Sequence, residues 1–151
     1  MPDIVLNEDS MRLISQFERI TGASSRDCVI DEKNNRLIFV VNPGQMGLAI
    51  GRQGASINKA SDQMGKRVEV VEYSADVEQF LRNCFLPAKV ASITLVPEGS
   101  GDGKFIAQIG VMEEDRGIAI GKEGKNIFKA KKLAMRQHDI ADVQILTVTS
   151  D

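Results

Sequence analysis

The stretch GLAIGRQGASINKA (Gly47–Ala60) returns as GIAIGKEGKNIFKA (Gly117–Ala130) at a constant offset of 70 residues. Eight of the fourteen positions are identical: Gly47/Gly117, Ala49/Ala119, Ile50/Ile120, Gly51/Gly121, Gly54/Gly124, Ile57/Ile127, Lys59/Lys129 and Ala60/Ala130. Leu48/Ile118 and Arg52/Lys122 exchange like for like. Two unrelated stretches of ordinary composition would share about one residue over this length. The chain is therefore read as a duplicated unit. Glycine weakens regular structure. Two copies of a G-x-x-G spacing imply that something needs the bare backbone at that point.

The flanks repeat as well. From Ser10 a helical period places Leu13, Phe17 and Ile20 on one stripe, and Gly22 reads as a stop. Cys28–Asp31, the turn-rich Glu32–Asn35 and Arg36–Val41 predict a β-hairpin. Asn42-Pro43 predicts the cap and first residue of a short helix that runs into the glycine motif. A second helix is expected from Ala55 to about Met64, closed by Gly65, and a strand over Arg67–Tyr73. The order then begins again. Asp76 with Gln79 marks a helix start; Val77, Phe80, Leu81, Cys84 and Phe85 form its apolar stripe, and Pro87 ends it. Strands are expected over Val90–Val96 and Lys104–Val111, a short helix over Glu113–Ile120, a longer one from Asn126 to about Gln137, and a strand over Val143–Val148.

Each unit thus reads α-β-β-α-GxxG-α-β, with the boundary near Ser74–Asp76, giving domains over 1–75 and 76–151. The expected fold class is α+β, with a three-stranded sheet per unit and helices packed on one face. Units of this size are marginal alone. The two are expected to pack rigidly and to hold any sites at a fixed spacing.

The 151 residues are 42% hydrophobic and 26% charged, the balance of a soluble globular chain. No apolar run approaches the roughly 18 residues of a membrane span. The N-terminus lacks a secretory layout, so a cytoplasmic protein is expected. Cys28 and Cys84 form no CxxC pair, and the single histidine, His138, cannot complete a metal cluster with them. No metal or cofactor is expected. The cysteines, Tyr73 and His138 read as structural.

Net charge is −2, which taken alone argues against a polyanionic partner. Its distribution argues the other way. Residues 51–67 hold four cations against one acid, and residues 121–138 hold six against one. A ligand responds to the local field. A helix beginning at a glycine loop offers free N–H groups and a positive dipole end, a setting that holds phosphate. Arg52 and Lys122 add charge inside the loops. Lys122, Lys125, Lys129, Lys132 and Arg136 step by threes and fours along one helical face. Ile50, Ile57, Ile120 and Ile127 read as core, with the apolar floor of a groove as the alternative. Glu113, Glu114 and Asp115 read as helix-start acids rather than a catalytic pair. No nucleotide-hydrolysing loop and no nucleophile triad is visible, so no enzyme is expected.

The residues IGRQG followed by ASI, and IGKEG followed by KNI, each within α-β-β-α-α-β, resemble the KH family of RNA-binding domains in its type II order. Two such units in tandem resemble the KH pair of the NusA family of transcription factors. The short archaeal members, without the polymerase-binding and S1 domains of the bacterial factor, are most similar. The resemblance implies single-stranded RNA clamped at Gly51-Arg52-Gln53-Gly54 and Gly121-Lys122-Glu123-Gly124, with bases on an apolar surface and about four nucleotides per unit. Lys59, Lys125, Lys129 and Lys132 would support the clamps. Glu123 departs from the pattern by placing a carboxylate in the second loop.

The implied role is transcription termination or antitermination, with RNA and possible contact to RNA polymerase as partners. The alternative within the same family is a ribosome-biogenesis or ribosomal-RNA-binding factor. A third reading, of a different class, is an adaptor whose glycine turns only pack helices.

Overall fold

The computed structural model describes residues 6–149. They fall into two compact units that part between Ser74 and Ala75. The first contains α1 (Glu8–Thr21), β1 (Ser25–Asp31), β2 (Arg36–Val41), α2 (Met46–Ile50), α3 (Ala55–Met64) and β3 (Arg67–Glu72). The second repeats the order with α4 (Val77–Phe85), β4 (Ser92–Pro97), β5 (Phe105–Met112), α5 (Glu113–Ile120), α6 (Lys125–Gln137) and β6 (Ile140–Val148). Among the described residues no helix is long and apolar enough to cross a membrane.

Each sheet has three strands with the second of them central. β1 runs antiparallel to β2 through a tight hairpin, while β3 lies parallel to β2. The second unit pairs β4, β5 and β6 in the same two senses. The parallel pairing has a simple cause. A chain leaving β2 must cross over before it can run alongside in the same direction. That crossover is α2, the glycine loop and α3, so the loop lies midway along the connection between the two parallel strands.

The first core forms where the sheet faces its helices. Cys28, Leu37, Phe39, Val41 and Val68 meet Ile14, Phe17, Ala49 and Ala60. Phe17 and Phe39 stack with ring centroids 4.1 Å apart. Burying a side chain of this size contributes about 1.5–3 kcal/mol. α1 is fixed at both ends. Asn7 Oδ1 accepts a hydrogen bond from the Ser10 N–H (2.8 Å), and Gly22 turns left-handed with φ 79°. The second core gathers Phe80, Leu81, Cys84 and Phe85 of α4 with Ile109, Ala119 and Leu133, all fully buried.

Several boundaries differ from the sequence expectation, each for a local reason. β1 begins at Ser25 rather than Cys28, because the Ser25 hydroxyl donates to the Val40 carbonyl (3.0 Å) and a bulge absorbs Arg26. The apolar run that signals a strand starts only after this polar entry. Asn42 does not cap a helix. Its side-chain amide donates to Ser24 Oγ (3.0 Å), its carbonyl accepts from the Gln45 N–H (3.1 Å), and α2 starts only at Met46. β6 starts at Ile140, three residues before the expected Val143.

Arg36, at the head of β2, is a buried cation. Its Nε donates to Asp31 Oδ2 at 2.7 Å, and its Nη1 reaches Glu69 Oε1 at 3.3 Å. Burial pushes the Asp31 carboxyl up, but hydrogen bonds from Asn34 and Arg36, with the Arg36 charge, outweigh it and hold the group below its ordinary range. Both cysteines are free and buried. Burial pushes the Cys84 thiol far up, opposed by the charge of nearby Lys129. Tyr73 and His138 are also buried; the Arg26 guanidinium lies over the Tyr73 ring at 3.7 Å, and His138 tilts against Phe80 at 5.3 Å.

Candidate nucleic-acid interface

The two glycine motifs fold into the same backbone shape. Gly51 has φ 77° and ψ 172°, and Gly121 has φ 80° and ψ 164°. A single 3₁₀ turn follows, in which Gln53 and Glu123 both take positive φ, at 55° and 57°. Gly54 and Gly124 are left-handed at φ 79° and 76° and lead into α3 and α6. The hydrogen bonds repeat too. The Gly51 N–H donates to Gly47 and the Gly121 N–H to Gly117, both at 2.9 Å. The Gly54 and Gly124 N–H groups donate to the first glycine of their own loops at 3.1 and 3.0 Å.

The two glycines of a loop serve different ends. A Cβ on Gly51 would collide with Ser56 Oγ and lie 2.7 Å from the Ser56 nitrogen; on Gly121 it would lie 2.7 Å from the Asn126 nitrogen. The first glycine thus makes room for the protein's own helix start. Asn126 also ties the second loop to its unit, its amide donating to the carbonyls of Ile118 (3.1 Å) and Phe85 (3.4 Å). Space for a ligand opens at the second glycine. There the nearest neighbours of an added Cβ are 3.5 Å away for Gly54 and 4.0 Å for Gly124.

Around each loop the structure gathers charge and apolar surface. Arg52, Gln53, Lys122 and Glu123 are exposed, as are Lys59 and Lys132; Lys125 is half-buried. Lys129 is the exception among the residues named from sequence. It is buried, with α6 packed against α4 on that side and Cys84 close by. The step of three and four that placed it on the cationic face runs slightly around the helix, and at Lys129 it crosses into the α4 contact. Its counterpart Lys59 stays in solvent.

Of the isoleucines expected in the core, Ile57 packs against the first core, while Ile50 stands in solvent. The core contact of α2 and α5 is made by Ala49 and Ala119, both fully buried. Ile50 is exposed, and Ile57, Ile120 and Ile127 are half-buried. Leu48 and Ile118, not singled out as site residues, present 51% and 49% of their surface at matching positions. Their signal was in the repeat itself. A large aliphatic residue retained one place before a buried alanine in both copies points about 100° round the helix from that alanine, away from the core contact. Each loop therefore combines a cation, an accessible glycine and an aliphatic patch, a set suited to a phosphate and the flat face of a base.

A family model described as KH domain matches residues 13–93, more than half of the chain. The chain belongs to the KH-domain family. It is similar to a protein of Halococcus morrhuae named "Probable transcription termination protein NusA", with 36% identity covering 94% of this chain and 98% of that one. A protein of the same name from Methanococcus vannielii is 32% identical, over 95% of this chain and 80% of its own length. A solved structure, "Crystal structure of APE1850", is 40% identical, with a TM-score of 0.82, and matches 93% of this chain and 100% of that one.

Proposed function

We propose that the chain is a single-stranded RNA-binding protein acting in transcription termination or antitermination, and that both units are KH domains holding RNA at their glycine loops. The observation that carries the reading is the repetition of one loop geometry, from Gly51 and Gln53 to Gly121 and Glu123, with an exposed aliphatic residue (Leu48, Ile118) and an exposed loop cation (Arg52, Lys122) at matching positions. A turn needed only to pack helices would not have to keep Leu48 and Ile118 in solvent twice. The names of the relatives support the transcriptional role. Contact with RNA polymerase belongs to the same proposal.

Each clamp would work in two parts. The cation at Arg52 or Lys122 and the helix start bind phosphate. The second glycine lets the sugar–phosphate chain come close, and the aliphatic patch takes the bases. Charge reversal tests this at positions that carry no core contact. Arg52→Glu and Lys122→Glu should each weaken binding of a labelled oligoribonucleotide by about tenfold or more. Each should also reduce the slope of log affinity against log salt by about 0.7 for every phosphate no longer neutralised. Unchanged affinity and slope in both variants would refute the clamp. Recovery of RNA polymerase with the tagged protein from cells would support the transcriptional role. Recovery of ribosomal subunits alone would move the same chemistry to ribosomal RNA.

A further inference from the structure

We infer that Phe128 is a base-stacking platform that extends the RNA path beyond the second loop and has no counterpart at the first. The inference rests on the reading of the glycine loops as RNA clamps and adds a residue that tells the two apart.

Phe128 lies on α6, one helical turn beyond Gly124, so the two share a face. It is 46% exposed, while the core contacts of α6 are made by Ala130, Leu133 and Ala134. An aromatic ring left half in solvent contributes little to that core. At the same position in the first unit stands Asn58, which is exposed as well. Its amide nitrogen would lie 3.5 Å from a Cβ on Gly54, so this helix position leans over the open glycine of the clamp. At Gly124 only Ile127 Cγ2 comes within 4.0 Å. The Phe128 ring therefore stands clear of the glycine and leaves the backbone beneath it accessible.

The surroundings select the occupant. Lys122 in the loop and Lys132 one turn further along α6 are exposed on either side of the ring, and Met135 continues the apolar stripe at 49% exposure. Residues 121–138 carry six cations against one acid. A strand held by its phosphate at Lys122 would carry its next base to the ring. Stacking on an aromatic side chain is tolerant of sequence and strengthens binding by about 1–3 kcal/mol per base.

The chain contains no tryptophan, so Phe128→Trp introduces a single tryptophan at the ring, excited selectively over Tyr73. The expected result is quenching of that fluorescence by a single-stranded oligoribonucleotide. Phe128→Asn, which installs the first unit's residue, should weaken binding about tenfold without changing the salt slope, because every phosphate keeps its cation. Phe128→Tyr should restore affinity. An RNA made abasic along its length should bind wild type and Phe128→Asn equally.

If Phe128→Asn binds as tightly as wild type while Lys122→Glu loses affinity, stacking is wrong and the clamp stands. If Lys122→Glu and Arg52→Glu also bind normally, the clamp reading fails and stacking fails with it. Quenching by an acidic amphipathic peptide but not by RNA would overturn the inference in favour of a protein ligand. If Phe128→Asn does not fold, the fluorescence of Phe128→Trp decides alone.

Discussion

A methyl group added at Gly51 would collide with the start of α3, whereas one added at Gly54 would meet nothing closer than 3.5 Å. Both residues hold positive φ, but in different regions. Gly54 is in the left-handed helical well, where another residue costs about 1–2 kcal/mol. Gly51, at φ 77° and ψ 172°, lies in a region open essentially to glycine, with strain of about 1–3 kcal/mol and overlap adding a similar amount. Gly51→Ala should therefore lower the urea midpoint by clearly more than Gly54→Ala. Gly54→Ala, although milder on stability, should weaken RNA binding because it fills the open side. Equal midpoints for the two variants would contradict the division of labour. Sequence alone established that bare backbone was needed at both positions. It did not reveal that the closest approach at Gly51 comes from Ser56 of the same chain, because that approach depends on where the 3₁₀ turn directs the following helix.

Among the elements, the β1–β2 hairpin buries an ion pair. Arg36 and Asp31 each keep about 3% of their side-chain surface, and their ion pair spans 2.7 Å. Replacing Arg36 with Met would leave Asp31 buried without its cation, a loss of about 3 kcal/mol at neutral pH. The pH dependence follows from the direction of the Asp31 shift. Its carboxyl is held below the ordinary 3.8, so its contribution is complete above that value and fades as pH falls through the lower folded one. The gap between wild type and Arg36→Met in thermal or urea unfolding should narrow in acid. A gap constant from pH 7 to pH 3 would show that the pair contributes through packing alone. This ion-pair group left no trace in the sequence pattern, since Asp31 and Arg36 looked like ordinary strand ends and Glu69 lies 33 residues from Arg36. The helices were legible where a punctuating residue marked an end, as Gly65 does after α3 and the acids Glu113, Glu114 and Asp115 do at the start of α5. Elements were misplaced where polar residues opened them, as at Ser25 in β1, or where a side chain found a partner elsewhere, as at Asn42. Lys129 was misplaced for a related reason: helical spacing fixes which residues share a face, but not where a neighbouring helix covers it.

For the whole molecule, the order of elements was readable because the chain states it twice, and the offset of 70 residues aligned weak signals with one another. What duplication implies for binding is a matter of valency. A net charge of −2 gives no general attraction for RNA, so on the proposed reading affinity comes from the two cationic loops acting locally. On the proposed reading an RNA of about four nucleotides fits one glycine loop, while one of about twelve holds enough nucleotides to supply both. Tethering turns the second encounter into an intramolecular one and can raise affinity by about a hundredfold. The twelve-mer should accordingly bind about that much more tightly than the four-mer. With either Arg52→Glu or Lys122→Glu it should fall back toward the four-mer's affinity, since each substitution removes one of two coupled anchors. The fall should be larger for Lys122→Glu, because the strand then loses its register against Phe128 as well. Isothermal titration of both lengths against the three proteins measures each of these affinities. If the twelve-mer gains nothing over the four-mer in wild type, the loops act singly, and the duplicated unit serves two separate RNA contacts rather than one shared strand.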